Sequence, residues 1–287
     1  MTGRLFPAGM CASHEDLEIE LVAENVHQHT DLLESIRDQV VRLAALSRGW
    51  DSAEQLEHFH QVFKLESLFH ADSLALLRQE GTLVGLAGVV RDRTPSGASI
   101  LHVGSLALMP SVQRRGILPV LFGVLWDFLL ETPEIHRNVR DGHAYLTAIT
   151  QSPYIMSFLG AVCDMYPAPD SPAPDDEQRE VARLVVERFD PEVEFDPDTF
   201  ILREEAQFFY RETPYSSNRA LNEYCDSRLR YSAGDTFALV GRMRAEPLDA
   251  FRDYCEKAYA DLYATLRATA SLTAPRAQDT TPREAAR

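Results

Sequence analysis

The sequence has little of what marks disulfide scaffolds, metalloproteins and membrane proteins. Its 287 residues include four cysteines, none at CxxC spacing and none in a Cys/His cluster with zinc spacing. We therefore predict no metal site and a reducing, cytoplasmic location. The N-terminal residues lack the apolar run of a signal peptide. The longest apolar stretch, residues 117–130, is interrupted by Asp127 and is too short to span a bilayer, which predicts a protein without a membrane partner.

Positive charge is also in short supply. Lysine and arginine number 28 against 44 aspartates and glutamates, a formal net charge of −16. This surplus argues against nucleic-acid binding through phosphates and favours a neutral or cationic partner. A hydrophobic fraction of 45% excludes disorder of the whole chain, and the length fits one or two domains.

Strand and helix patterns follow one another through the first half of the chain. Strands are predicted at 17–23, 73–79, 82–91, 98–109 and 143–149, and helices at about 30–47, 52–65 and 117–131. Glu80 and Gly81 form a hairpin turn, and Pro110 ends the long third strand because proline cannot donate to a ladder. The pattern predicts an α+β fold with a mixed sheet.

The second half differs in composition. Segment 164–205 holds fourteen acids and four arginines, a net charge of −10, and it includes a proline-rich loop at 167–174. Further elements are predicted at about 177–188, 199–208, 235–243 and 248–267. We expect a flexible leader at 1–15, a core domain at 16–166, an acidic extension at 167–267 whose strands and C-terminal helix complete the same domain, and a disordered tail at 268–287.

The most informative feature is a junction at residues 113–118, where Gln-Arg-Arg-Gly-Ile-Leu leads from a strand into an apolar helix. The first N–H groups of a helix have no partner inside the helix, and the helix dipole adds partial positive charge there. Such a turn binds phosphate or pyrophosphate. Gly116 lets the backbone approach the ligand, and Arg114 and Arg115 add positive charge. Taken alone, the same residues also fit a solvated helix start.

The order of hairpin, long strand, glycine turn, helix and strand resembles the GNAT superfamily of acyl-CoA-dependent N-acyltransferases. The family signature Q/R-x-x-G-x-G/A, after a strand often written L-x-V-x-P, is similar to residues 113–118 and 106–110 here. The last signature position departs, because Leu118 stands where the family usually has Gly or Ala. A side chain of this size either crowds a pyrophosphate or points into the core.

The resemblance implies a sheet that splays open between two central strands and holds acetyl-CoA in the opening. The implied cofactor-binding residues are Leu106, Leu108, Gln113, Arg114, Arg115, Gly116, Ile117, Leu118 and Ser152. Pantetheine would bind the strand backbone, and the pyrophosphate would rest on the turn. A neutral amine would then attack the thioester directly, which requires a base for the amine proton and a proton donor for the sulfur.

Two side chains are candidates for these proton transfers. His102 lies on the long strand, where family bases are often found, and imidazole titrates near neutrality. The alternative to a catalytic role is that His102 faces the other side of the sheet or has its hydrogen bonds satisfied in the core. Tyr154 is the candidate acid. It precedes Phe158 by one helical turn, and Phe158 stands close to the position where many family members have a tyrosine. The alternative is that both aromatics pack in the core.

These features predict an N-acetyltransferase that moves an acetyl group from acetyl-CoA to a small amine, with a cationic amine favoured. An alternative is a catalytically inactive protein of the same fold that binds a basic partner through its acidic segment, motivated by Leu118, Phe158 and residues 164–205. A third is an unrelated α+β protein. The acceptor, the acyl length and the oligomeric state are left open.

Overall fold

The computed structural model describes residues 10–14, 17–23, 26, 29–62, 71–113, 116–130, 132–206, 210–258 and 260. The strands are β1 (Met10–His14), β2 (Leu17–Ala23), β3 (Ser73–Gln79), β4 (Thr82–Arg93), β5 (Ser99–Leu108), β6 (Ala144–Thr150), β7 (Cys163–Tyr166), β8 (Glu194–Asp196), β9 (Ile201–Arg203) and β10 (Thr236–Met243). They form one sheet in the order β1-β2-β3-β4-β5-β6-β10-β9-β8, and β7 also pairs with β10.

The helices of the described residues lie on both faces of this sheet. They are α1 (Thr30–Ser35), α2 (Arg37–Ser47), α3 (Ala53–Val62), α4 (Ile117–Leu130), α5 (Pro133–Asp141), α6 (Pro153–Leu159), α7 (Asp176–Phe189), α8 (Arg219–Asp226) and α9 (Ala245–Ala258). Within the described ranges, no helix combines the length and the apolar character needed to cross a membrane.

The sheet is mixed because one central pair is parallel. β5 and β6 run in the same direction, and the other strand pairs are antiparallel. A parallel pair needs a crossover connection, which the chain between them supplies as α4 and α5. The α+β fold with a mixed sheet that the sequence predicts is confirmed.

Helix α4 forms the centre of the largest core cluster. Its sequence is almost entirely apolar, and Phe122 and Trp126 are fully buried against the sheet. The opposite face is covered in two parts, by α1–α3 over β3 and β4 and by α7 over β6 and β10. A helix whose described side chains are nearly all buried holds its N-terminus at a fixed point of the fold.

Several elements differ from the sequence expectation. Residues 10–14, placed in the leader, form an edge strand on β2, and the helix expected at 30–47 is broken at Ile36. The strand expected at 199–208 shrinks to β9, because Phe200 and Glu204 at its two ends have φ of 55° and 54°. The short elements α5, α8 and β8 were not predicted, although the apolar residues of α5 and α8 recur at helical spacing, as Ile135 and Val139 in α5 and Leu221 and Cys225 in α8 show. Residues 63–65, 261–267 and the tail at 268–287 lie outside the described residues.

Candidate functional site

Strand β5 changes its partners halfway along its length. From Ser99 to Val103 it pairs with β4 on one side and in parallel with β6 on the other. Beyond Val103 the ladder to β6 ends, whereas the ladder to β4 continues. Gly104 is the extra residue at this point, opposite the step from Gly88 to Val89. A bulge of this kind bends its strand, so β5 and β6 open into a cleft.

The second half of β5 presents its backbone to this cleft. The Met109 N–H donates to the Val84 carbonyl on β4 at 2.8 Å. Because successive residues of a strand present their N–H and C=O groups to opposite sides, those of Leu106 and Leu108 face the cleft. The Leu108 carbonyl accepts a hydrogen bond from Gln113 Nε2 at 2.8 Å, which ties the strand end to the following turn. Gln113 therefore orders the turn as well as lining the cleft.

The start of α4 forms the adjoining wall. Gly116 precedes the helix with φ of 74°, a conformation that favours glycine, and the N–H groups of Ile117 and Leu118 belong to the first helical turn. The Leu118 residue is 3% exposed and its side chain packs in the core, so it does not fill the cleft, although the residue forms part of the lining. The sequence left two possibilities for Leu118, a side chain that crowds a pyrophosphate or one that points into the core, and the structure has the side chain in the core.

The cleft has a volume of about 810 Å³ and gathers most of the predicted residues. Those that line it are Leu106, Leu108, Gln113, Gly116, Ile117, Leu118, Ser152 and Tyr154. Arg114 and Arg115 lie outside the described residues. One short run of sequence, from the end of β5 to the start of α4, therefore supplies one side of the cleft, and the start of α6 supplies the other.

The three residues predicted around α6 have different surroundings. The Ser152 hydroxyl caps the helix by accepting a hydrogen bond from the Ile155 N–H at 3.3 Å. Phe158 packs in an aromatic cluster with Phe122, whose ring centroid is 5.0 Å away. Tyr154 is 44% exposed and lines the cleft. Of these side chains, only Tyr154 offers the cleft a hydroxyl that is not already engaged in helix capping.

His102, the base suggested by the sequence, is not brought to the cleft. Its side chain is 4% exposed, its ring stacks on Phe189 with centroids 4.2 Å apart, and Nδ1 lies 3.0 Å from Thr147 Oγ1. Burial, reinforced by the Arg188 charge, lowers the pKa of His102 to about 3. The ring is therefore neutral and belongs to the contact with α7. His102 lies before the bulge, where β5 still pairs with β6, and this position keeps its side chain out of the cleft.

A loop that the sequence analysis did not single out closes the far side of the cleft. The Arg211 N–H donates to the Arg48 carbonyl at the end of α2 at 3.0 Å, and the Tyr154 N–H donates to the Pro214 carbonyl at 3.1 Å. Residues 210–215 thus bridge α2 and α6, and all six line the cleft. The sequence signal that could have indicated this loop is a local one, two tyrosines around a proline within a polar stretch.

No family model matches the chain, and no curated protein matches it. Among solved structures it is similar to an aminoglycoside acetyltransferase from an uncultured soil metagenomic sample, at 15% identity over 46% of this chain and 77% of that chain, with a TM-score of 0.31. It is similar to a ribosomal-protein-alanine N-acetyltransferase from Brucella melitensis biovar Abortus 2308, at 19% identity over 41% of this chain and 74% of that chain, with a TM-score of 0.28.

A third similar structure is an aminoglycoside N-acetyltransferase in complex with CoA, at 12% identity over 42% of this chain and 72% of that chain, with a TM-score of 0.25. Identities and TM-scores this low support no functional conclusion by themselves. The function proposed for this chain therefore rests on the geometry of its cleft. All three structures are named as acetyltransferases.

Proposed function

We propose that this protein is an acyltransferase that moves an acetyl group from acetyl-CoA to a small amine. The observation that carries the proposal is a single cleft with two kinds of backbone donor. One wall is a strand whose bulge at Gly104 separates it from its neighbour, and the adjoining wall is the N-terminus of a buried helix. An extended chain with amide groups fits the first wall, and a pyrophosphate fits the second.

The backbone groups of the two walls support an assignment for each part of acetyl-CoA. The backbone of Leu106 and the N–H of Leu108 would bind the pantetheine amides. The N–H groups of Ile117 and Leu118, with the dipole of the 14-residue helix α4, would bind the pyrophosphate. The positive φ of Gly116 supports this assignment, because no Cβ stands between the turn and a phosphate.

Bound acetyl-CoA supplies the activated acyl group. We assign to the Tyr154 hydroxyl, which lines the same cleft, the proton that the departing thiolate needs. Loop 210–215 and the end of α2 exclude water from the far side and position the acceptor. A cationic amine is favoured by the net charge of −16 of the whole chain, since the two carboxylates of the lining, Asp51 and Glu212, are balanced by Arg48 and Arg211.

The alternative, an inactive protein that binds a basic partner through residues 164–205, has less support. Several carboxylates of this segment are already engaged by arginines of the same chain. Three such pairs, each with a closest N···O distance of 2.7 Å, are Asp164–Arg244, Asp175–Arg242 and Glu187–Arg183. Carboxylates held in this way are less free to attract a separate partner.

Two measurements on the purified protein test the proposal. Calorimetric titration with acetyl-CoA should give saturable binding with one site, and CoA should compete for it. Release of the free thiol should then follow addition of at least one amine from a panel of a polyamine, an amino sugar and an arylalkylamine. A protein that binds neither acetyl-CoA nor CoA would overturn the proposal. A protein that binds acetyl-CoA but acetylates no amine of the panel would contradict the transfer step.

A further inference from the structure

The cleft contains three tyrosine rings, and only Tyr154 has a role in the reaction described so far. Tyr210 and Tyr215 lie at the two ends of the loop that bridges α2 and α6, and both line the cleft. Among the described residues, the large hydrophobic ones that are exposed are Tyr154 at 44%, Tyr215 at 52% and Tyr254 at 54%. Two of these three line the same cleft. Exposed rings gathered in a concave site mark a surface that binds an apolar or aromatic group.

The Tyr215 ring is fixed although half of its residue is exposed. Its hydroxyl donates to Asp226 at the end of α8, with 3.0 and 3.1 Å to the two carboxylate oxygens. Its N–H donates to the Thr213 carbonyl at 2.8 Å. Because the ring is held before a ligand arrives, stacking on it loses little conformational entropy. The loop therefore presents a preformed flat face to the cleft.

The charges of the lining leave room for one ammonium group. Its ionised side chains among the described residues are Arg48, Arg211, Asp51 and Glu212, so its formal charges balance. Arg211 Nη1 lies 3.7 Å from Asp51 Oδ1, and the Arg48 guanidinium lies over the Tyr210 ring, 5.7 Å from the ring centroid. Glu212 forms no ion pair within the described ranges. One carboxylate is therefore available to a single cation, whereas a polyamine brings two or more positive charges.

Several hydrogen-bonding side chains of the lining are already engaged inside the protein. The Ser152 hydroxyl caps α6, and the Ser47 hydroxyl donates to the Ala44 carbonyl at 2.9 Å. The Gln113 amide donates to the Leu108 carbonyl. A sugar brings several hydroxyls that each need a partner when they leave water. An aromatic ring needs none, and it gains from an offset or edge contact with another ring. The lining therefore suits an aromatic ring better than a sugar.

We propose that the acceptor is a primary amine joined to an aromatic ring by a short alkyl chain, an inference that rests on the proposed function and names its substrate class. The ring lies against Tyr215 and Tyr210, and the ammonium lies at Glu212. The alkyl chain is part of the assignment, because a nitrogen attached directly to the ring shares its electron pair with the ring and is uncharged at neutral pH. Such a nitrogen would give Glu212 no cation to bind.

The transfer balances for such an amine. The ammonium gives one proton to water and becomes a neutral amine with a free electron pair. The nitrogen forms a bond to the acyl carbon as the carbon–sulfur bond breaks. The departing sulfur takes the Tyr154 proton, and Tyr154 regains a proton from the nitrogen, so that the products are an amide and the CoA thiol.

The tyrosine loop comes from a part of the chain that is inserted between two neighbouring strands. β7 and β10 pair in the sheet, yet residues 167–235 lie between them in sequence. Loop 210–215 belongs to this long connection, and the N–H groups of Arg211 and Tyr154 tie it to α2 and α6. The acidic extension thus supplies the surface that we assign to the acceptor.

The first test compares two amines that differ only in the ring. Phenethylamine and cyclohexylethylamine carry the same charge on the same chain, and only the first has an aromatic face. We expect kcat/KM for phenethylamine to exceed that for cyclohexylethylamine by about fivefold, the size of a ring–ring contact. Spermidine and glucosamine, which represent the polyamine and the amino sugar, should both have a lower kcat/KM than phenethylamine.

Tyr215→Leu tests the ring contact, with Tyr254→Leu as the matched control. Tyr254 is exposed to the same extent and does not line the cleft. We expect Tyr215→Leu to raise KM for phenethylamine by about fivefold and to remove the preference over cyclohexylethylamine, while the Kd for acetyl-CoA stays unchanged. Tyr215→Phe keeps the ring and loses only the contact with Asp226, so the preference should remain. Tyr254→Leu should change none of these values.

Glu212→Gln tests the ammonium contact. It should raise KM for phenethylamine and for cyclohexylethylamine by the same factor, about fivefold, because both amines carry the charge. The preference between the two amines should be retained. Glu223→Gln is the control, at an exposed glutamate of α8 that does not line the cleft.

The outcomes separate this inference from the function on which it rests. A wild-type protein without acetyl-CoA binding, or without thiol release in the presence of any of the four amines, overturns both. An active protein that prefers cyclohexylethylamine, spermidine or glucosamine, or that does not distinguish phenethylamine from cyclohexylethylamine, overturns the acceptor class alone. A folded Tyr215→Leu variant that keeps the preference, or whose loss is in acetyl-CoA binding, contradicts the ring contact. Should Tyr215→Leu fail to fold, the preference of the wild-type protein and the response of Glu212→Gln decide.

Discussion

The two halves of β5 differ although they belong to one continuous strand. The first half, Ser99 to Val103, has a strand on each side, and its histidine is buried beneath Phe189. The second half, Gly104 to Leu108, keeps only the β4 ladder and turns backbone groups toward a cleft. One extra residue at Gly104 separates the two. The candidate chemistry of this strand therefore lies in its backbone and not in its titratable side chain.

A second contrast concerns two buried titratable groups. Burial disfavours the charged form of any group, so it lowers the pKa of His102 to about 3 and raises the pKa of Glu205 to about 7. The same physical effect therefore takes the histidine away from neutral pH and brings the carboxylate to it.

The largest expected effect is at the turn before α4. Gly116→Glu places a carboxylate and a Cβ where the pyrophosphate would rest, and we expect acetyl-CoA binding to weaken by about 100-fold or more. Gly97→Glu is the matched control, because Gly97 also has a positive φ, of 94°, but lies in an exposed turn with open space around it. Calorimetry of both variants measures the difference. Equal losses in both would mean that backbone strain, and not the cleft, is responsible.

The next effect concerns the bulge itself. Deleting Gly104 leaves an uninterrupted antiparallel ladder with β4, which lets β5 continue beside β6 and narrows the cleft. We expect acetyl-CoA binding to weaken by about tenfold, while the far-ultraviolet circular dichroism spectrum stays unchanged. Gly104→Ala keeps the extra residue and is the control. A Cβ there has its nearest neighbours, His102 Cδ2 and Val90 Cγ2, at 3.6 Å. Unchanged acetyl-CoA binding in the deletion variant would show that the bulge does not determine the width of the cleft.

A smaller effect on activity is expected in the first half of the strand. His102→Asn should change kcat by less than about threefold, since the ring does not reach the cleft. It should, however, alter stability in acid. The pKa of His102 is about 3 in the folded protein and 6.5 in an unfolded chain. Above pH 6.5 the imidazole is neutral in both states, so its titration does not change the free energy of unfolding. As the pH drops from 6.5 toward 3, the unfolded chain binds a proton that the folded protein does not, and stability falls.

Unfolding by denaturant at several pH values measures this effect. Wild-type protein should lose about 1.4 kcal/mol per pH unit below 6.5 that His102→Asn does not lose. A large drop in kcat for His102→Asn, with an unchanged Kd for acetyl-CoA, would instead return His102 to the catalytic role that the sequence suggested.

The smallest effect is expected for a side chain in the second half of the strand. Leu106→Met conserves volume in the core and leaves the backbone groups in place, so the Kd for acetyl-CoA should change by less than about twofold. Titration of the variant with acetyl-CoA measures this Kd. A strong loss of binding in a variant that melts at the wild-type temperature would show that the side chain, and not the backbone, contacts the ligand.

Much of the wall proposed to bind acetyl-CoA could be predicted because its residues are close in sequence. The hairpin of β3 and β4, the long strand, the turn at Gly116 and the apolar helix follow one another between residues 73 and 130. Periodicity and turn residues predict such a run directly. The opposite side of the cleft could not be predicted in this way. Loop 210–215 meets Arg48 only after a segment of more than 150 residues has folded between them.

His102 shows why the position of one side chain could not be predicted although its strand was. Alternation along β5 would place residues 102, 104, 106 and 108 on one face if the strand were regular. The bulge changes the phase, so that His102 packs beneath α7 while Leu106 and Leu108 pack on the α4 side. A pattern of apolar residues does not reveal one extra residue within a strand.

The sequence by itself determined the local features of this protein: the order of strands and helices around residues 73–150, the glycine turn with its positive φ, and the buried helix behind it. These depend on backbone preferences and hydrophobic periodicity, which act over a few residues. The tertiary structure decided where the cleft opens, which distant loop closes its far side and which histidine is excluded. Those outcomes depend on strand pairing, on burial and on charges brought together from distant parts of the chain.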